Sequence, residues 1–291
     1  MSYSPVHVKH DVETVDTAAQ ALSSPAAFPV PVICPSNGEM LAPLRDGADF
    51  LRRRSGTRQF AGMSDWLNER PIESGWVSGR DLLTQPEHFN NLCQVMRRLR
   101  GGADHVVASL AWKTYSYWVI APLILGYVTA RRIPVLDADS FEYAADSSWE
   151  TVFHMRQNRP AAWVLDSDPA RMHEGVRVST GDSHLLEQVR QAVWDDHLEP
   201  LMAMIRRRVR LSERLMRGSL ASAIAYVTAE FAVIGREAPE VVAKTFLELF
   251  DVADLVELKT NDYGRLEFQR RSCCLALAAE RPGLCSSCPA A

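Results

Sequence analysis

The run DHVVASLAWKTYSYWVIAPLILGYVTARR, beginning at Asp104, constrains this chain more than any other stretch, because it is apolar on most faces of a helix. Such a helix has no side to offer to water, so other elements must surround it. Its most apolar part, VIAPLILGYV at 119 to 128, is about half of the ~20 residues that a bilayer crossing needs, with Lys113 before it and Arg131 and Arg132 after it. We therefore expect a buried helix at the centre of a core, with a kink at Pro122. A chain of 291 residues with 47% hydrophobic residues can build that core without disulfide staples.

The flanking sequence supplies the surround. The stretch from Ser78 to Arg100 predicts a helix, with Ser78 and Asp81 spaced as a capping box variant and Gly101-Gly102 as the stop. Four short β-rich runs, IPVLDAD, ETVFHM, AAWVLDSD and EGVRVST, predict a small antiparallel sheet between about 133 and 180. Helical patterns return over 183 to 250, the last with Pro239 in its first turn, and strand-like alternation at Leu266 and Phe268 follows a turn at NDYG. Residues 1 to 60 combine a short helical pattern, VETVDTAAQALSS, with a proline-rich loop and read as a loosely packed leader. The expected fold is α+β, predominantly helical, with a small antiparallel β-sheet and a C-terminal cysteine-bearing segment. The expected divisions are a helical and loop region over 1–104, the apolar helix and sheet over 105–182, and a helical region with the tail over 183–291.

A formal net charge of −4 excludes global attraction to nucleic acid or to an anionic membrane. The basic run MIRRRVRLSERLMR lies in acidic and apolar surroundings and reads as a polar helix face. The opening MSYSPVHVKHDVETVD carries acids and lacks the apolar run of a secretory signal, which predicts a cytoplasmic protein in a reducing compartment.

In that compartment the tail RRSCCLALAAERPGLCSSCPAA stands out, since it holds four of the six cysteines. The spacing is Cys273-Cys274, ten residues, then Cys285-x-x-Cys288. Structural zinc usually recruits two C-x-x-C knuckles, and only the second half of this tail has that form. Adjacent side chains diverge along an extended chain, so Cys273 and Cys274 suit two metal centres better than one. The spacing favours an iron–sulfur cluster, with zinc or a thiol–disulfide switch as open alternatives. Arg270, Arg271 and Arg281 place positive charge beside the thiolates, and Gly283 and Pro289 bracket the second pair. Cys93 falls on the apolar face of a helix and reads as a plain buried thiol, while Cys34 in the proline-rich loop receives no role. His197, beside Asp195 and Asp196, and His173, beside Glu174, have no second histidine at ligand spacing and read as structural.

The tail CC-x(10)-C-x(2)-C, preceded by arginine and followed by proline, resembles the signature of the FhuF-type siderophore ferric-iron reductase family. Upstream, HLEPLMAMI resembles the family's His-Leu-x-Pro-Leu segment, LMRGSLASAI its Leu-Trp-Gly-Asn-x-Ala-Ser stretch, and ASLAWKTYSYWVIAPLIL its apolar helix ending in proline. The resemblance spans roughly 105 to 291. It departs at Arg217-Gly218-Ser219, where the family has Trp-Gly-Asn, and at Ala276 and Leu277, where aromatic residues are frequent.

The resemblance implies that Cys273, Cys274, Cys285 and Cys288 hold a [2Fe-2S] cluster and that the chain reduces Fe(III) in a ferric siderophore by one electron. Cytoplasmic iron transport follows as its setting, with the chain peripheral to an uptake system and without a membrane span or a nucleic-acid partner. A separate electron donor is implied too, since the sequence carries no Gly-rich dinucleotide fingerprint. Arg270, Arg271, Arg281, Trp112 and Lys113 are the candidates for the wall against which the ferric complex docks. The competing readings are a non-enzymatic protein with a four-cysteine zinc site at a partner interface, and a thiol redox sensor.

Overall fold

The apolar run forms one continuous helix, Asp104–Ala130, that passes through Pro122 without interruption. Leu110, Trp112, Tyr115, Val119, Ile120, Leu123 and Ile124 point to different sides of it, and all are buried. The helix ends at Arg131, which adopts the left-handed conformation with φ 55°. Its N–H bonds to Gly126 and Tyr127 carbonyls, and the N–H of Arg132 also reaches the carbonyl of Gly126. A Cβ on Gly126 would overlap the carbonyl of Arg132, so glycine is what allows the chain to double back so tightly.

The computed structural model describes residues 40–55, 75–145, 153–283 and 287–289. Most of the expected leader, including Cys34 and the VETVDTAAQALSS pattern, lies outside the described residues. In chain order the elements are α1 (Ala42–Ser55), β1 (Val77–Ser78), α2 (Gly79–Thr84), α3 (Pro86–Arg100) and the central helix α4 (Asp104–Ala130). Next come β2 (Ile133–Pro134), β3 (Phe141–Ala145), β4 (Phe153–Gln157), β5 (Ala162–Leu165) and β6 (Val176–Ser179). The remainder comprises α5 (Asp182–Val189), a π-helical stretch Arg190–Leu198, α6 (Glu199–Arg208), α7 (Glu213–Phe231), α8 (Pro239–Leu249), and the strands β7 (Val256–Thr260) and β8 (Leu266–Arg270).

Helix α4 is wrapped by α1, α3, α7, β2 and β4, and the turn Ala276–Ala278 of the tail closes on it as well. The fold is α+β and mainly helical, and residues from all three expected divisions enter one continuous hydrophobic core. The helix expected over 78 to 100 is split, because Pro86 cannot continue α2 and instead starts α3. Ser78 caps α2 as its spacing suggested: its Oγ accepts from the N–H of Asp81 at 2.9 Å and donates to Asp81 Oδ2 at 2.8 Å.

Residues 133 to 180 build two sheets rather than one. Strands β1, β3 and β4 form an antiparallel sheet with Tyr143 paired to Val77 on one side and Met155 on the other. The second sheet has the order β2-β5-β6, and β6 joins β5 in parallel, with Ala162 opposite Val176. Gln157 stitches the two together by donating to the carbonyls of Val135 (2.7 Å) and Ala161 (2.8 Å). The parallel pairing is made possible by the short 3₁₀ turn Pro169–Met172, which carries the chain back to the start of the sheet.

Asp168 caps that turn by accepting from the N–H of Ala170 at 2.6 Å, and it also takes the Arg132 guanidinium at 2.9 Å. The side chains of this ion pair are 1% and 5% exposed, so each charge depends on the other.

His197 is fully buried and faces Tyr115, whose hydroxyl lies 2.6 Å from Nε2, while Nδ1 lies 3.1 Å from the carbonyl of Leu136. A carbonyl only accepts, so Nδ1 carries the proton and Nε2 accepts from the tyrosine. Burial lowers the imidazole pKa to about 4. The histidine is a neutral core residue, set in place by the widened turn before Pro200, whose missing N–H interrupts ordinary helical bonding.

Two outcomes follow from these buried groups. Asp168→Ala should cost about 3–5 kcal/mol in denaturant unfolding by stranding Arg132. Asp139→Ala, which removes an exposed pair with Arg80, should cost no more than about 1 kcal/mol. For His197 the folded-state pKa lies below the unfolded value, so the unfolded chain binds the extra proton and stability falls as pH drops from about 6.5 to about 4. The stability of the natural chain relative to His197→Gln should fall by about 3 kcal/mol over that window, as read from unfolding curves at each pH.

Candidate functional site

The tail is presented by a hairpin. Asn261 Oδ1 accepts from the N–H groups of Tyr263 and Arg265, both at 3.0 Å, and Gly264 takes φ 72° to turn β7 into β8. Along β8 the side chains of Leu266, Phe268 and Arg270 share one face, with Leu266 and Arg270 buried and Phe268 partly buried. That face lies against α7.

Beyond Arg270 the chain passes Ser272, Cys273 and Cys274, turns through Leu275 in the left-handed conformation, and makes the short turn Ala276–Ala278. The tail then returns: the N–H of Arg281 bonds to the carbonyl of Arg100 at 2.8 Å, and the carbonyl of Ser287 accepts from the N–H of Arg270 at 3.2 Å. This last bond sets Ser287, the neighbour of Cys288, beside the strand that leads into Cys273. Ser109 on α4 holds the middle of the loop by donating to the carbonyl of Cys274 at 2.9 Å.

Helix α7 accepts the tail because its facing residues are small. Gly218, Ser219, Ser222 and Ala223 recur at helical spacing and are buried, and a Cβ on Gly218 would overlap Oγ of Ser272. Ser222 Oγ stands 3.4 Å from Ser287 Oγ. Ser219 Oγ accepts from Nη2 of Arg270 at 3.2 Å.

Cys273 is exposed, and its Sγ accepts from the N–H of Leu275 at 3.3 Å, whereas Cys274 and Cys288 are buried. Cys285 lies outside the described residues. Among the described residues no three His, Cys, Asp or Glu side chains gather as a metal site. Cys93 is partly buried on α3, and burial pushes its thiol up to about 12, which keeps it protonated and unreactive.

The candidate docking residues separate on their burial. Arg270 is only 2% exposed, so it cannot form an outer wall, and its Nε and Nη1 have no hydrogen-bond partner among the described residues. Trp112 is fully buried, donates to the carbonyl of Met216 at 2.9 Å, and locks α4 to α7, a packing role that removes it from any docking surface. Arg271 is exposed, bonded to the carbonyl of Asp254 and within 3.7 Å of Glu257. Arg281 is exposed and clasps the carbonyl of Arg98. Lys113 is half-buried at the lining of a cavity.

That cavity, of about 360 Å³, lies between α4 and α7, with Phe268 of β8 and Ser287 of the tail also in its lining. Thr114, Tyr117 and Trp118 line its α4 side, and Ser219, Ser222, Ala223 and Tyr226 its α7 side. None of Ser219, Ser222, Tyr226 and Phe268 is among the docking residues expected from the sequence, where Ser219 enters only as a departure from the family pattern and Phe268 only through strand alternation. The signal was present in the small-residue spacing of RGSLASAI and in the period-2 alternation that carries Arg270 inward with Leu266 and Phe268.

A buried guanidinium with two unsatisfied nitrogens is costly, on the order of several kcal/mol, unless an anion stands near it. Arg270 lies on the strand that enters the first cysteine pair and is hydrogen-bonded through its backbone to the residue before Cys288. The donor set of the tail, four thiols that become thiolates on binding metal, is of the kind that satisfies this cation. A tetrathiolate site carries net negative charge, and its residues therefore fit Arg270, whereas a neutral disulfide would leave the guanidinium uncompensated. No protein-family model matches the chain, and no curated protein matches it either.

Proposed function

We propose that the chain reduces Fe(III) in a ferric siderophore by one electron, as a member of the FhuF-type reductases that its tail resembles, with Cys273, Cys274, Cys285 and Cys288 holding a [2Fe-2S] cluster. The observation that carries this reading is the CC-x(10)-C-x(2)-C tail, entered through a buried arginine whose Nε and Nη1 have no hydrogen-bond partner among the described residues. When bound, a [2Fe-2S] centre passes electrons singly, which suits the conversion of Fe(III) to Fe(II).

The residues of the chain then divide the work. Arg270 offsets the negative charge of the thiolates from the inside, and Ser219 holds its side chain in position. Arg271 and Arg281 place positive charge on the outer side of the tail, where an anionic ferric complex would approach. Hard siderophore oxygens bind Fe(III) far better than the larger, softer Fe(II), so one electron loosens the complex and releases the metal. That electron leaves a separate donor protein, which is oxidised as the iron is reduced.

The reading places the chain in the cytoplasm, beside an uptake system. No helix among the described residues is long and apolar enough to cross a membrane. The zinc and thiol-switch alternatives are separated by metal content, and the charge of Arg270 favours either tetrathiolate form over a disulfide.

Cys285→Ser should abolish both the cluster and ferric-siderophore reduction, the latter followed with an Fe(II)-trapping dye. Cys93→Ser should retain both, because that thiol is protonated and remote in sequence from the tail. Equal losses in the two variants would contradict the assignment.

A further inference from the structure

The cavity beside the tail has a composition that selects its guest. Tyr117 meets Trp118 edge-to-face at 5.5 Å, approaches Tyr226 at 6.2 Å, and Tyr226 reaches Phe268 at 6.5 Å, so four rings form one connected wall. Rings arranged in this way favour another ring, by offset or edge contact, over a flexible aliphatic chain. The polar remainder of the lining consists of Lys113 and the hydroxyls of Thr114, Ser219, Ser222 and Ser287, and no acidic side chain lines the cavity among the described residues. Lys113, with no carboxylate facing it among the described residues of this lining, favours an anionic guest.

Size narrows the choice further. At about 360 Å³ the cavity lies near the lower end of the ~300–1,000 Å³ range of ligand pockets. It admits one ring with its oxygens and leaves the bulk of a three-armed chelate outside.

We propose that this cavity binds a catecholate arm of the ferric complex, a planar aromatic dianion, and so gives the protein a preference for catecholate over hydroxamate chelates. The inference rests on the reductase reading for its substrate class. The ring would lie against Tyr117, Trp118, Tyr226 and Phe268, and its phenolate oxygens would face Lys113 and the serine hydroxyls. Ser287 belongs to the cavity and precedes Cys288, so an arm held there brings the chelate up to the cysteine tail.

Isothermal titration of the full chain with redox-inert gallium(III) complexes tests the cavity without requiring electron transfer. Gallium(III) tris-catecholate should bind at least about tenfold more tightly than gallium(III) tris-acetohydroxamate. Tyr226→Ala, which removes a ring, and Lys113→Glu, which reverses a charge at the lining without opening the core, should each weaken catecholate binding about tenfold. Equal affinity for the two complexes, or catecholate binding unchanged in both variants, overturns the proposal. Ring-dependent binding by a protein that takes up no cluster supports the cavity assignment and removes the reductase reading. Reduction of both iron complexes without ring-dependent binding does the reverse.

Discussion

Burial of a helix that is apolar on most of its faces is the constraint on which the rest of the structure depends. Helix α4 cannot lie at a surface, so α1, α3, α7 and parts of two sheets enclose it, and the turn Ala276–Ala278 of the cysteine-bearing tail packs on it too. Two hydrogen bonds give this packing its register. Trp112 bonds to the carbonyl of Met216, fixing α4 against α7, and Ser109 bonds to the carbonyl of Cys274, fixing α4 against the tail. The groups that hold the core together thus also hold the candidate site in place, and a change in how α4 meets α7 would be felt at the cysteines.

The tail adds a second constraint of a different kind. Arg270 is a charge taken out of water with only one of its side-chain nitrogens satisfied among the described residues. Left alone it would weaken the fold, which makes it informative about what the tail is built to hold. On the proposed reading, four thiolates around metal would supply the negative charge that the guanidinium lacks. The same residue brings Ser287, the neighbour of Cys288, to the strand that enters Cys273, because its backbone N–H bonds to the Ser287 carbonyl. Electrostatics and backbone bonding therefore converge on one segment.

Much of the architecture was legible in particular residues, and the misses have physical causes. The unbroken apolar face of residues 104 to 130 announced the central helix, and Ser78 with Asp81 announced the start of α2. Pro86 was passed over as a breaker although it ends one helix and begins another. Strand β6 was expected to be antiparallel, because alternation reveals a strand but not the direction of its partner; the reversal is made by the turn at Asp168. Within the site, the cysteine spacing could be read directly, whereas Arg270 and Arg271 were both expected on the docking wall. Only the period of β8 distinguishes them, turning Arg270 inward with Phe268 and Arg271 outward. The cavity wall escaped notice because its rings come from α4, α7 and β8, segments far apart in sequence.

The most direct test of the central claim is anaerobic reconstitution of the full chain with iron and sulfide, followed by metal analysis and electron paramagnetic resonance before and after dithionite. The account predicts a brown protein with about two irons and two sulfides per chain, silent when oxidised and giving the signal of a single unpaired electron when reduced. A colourless protein that binds zinc alone, or one that shows no reducible iron–sulfur signal after reconstitution, would contradict it.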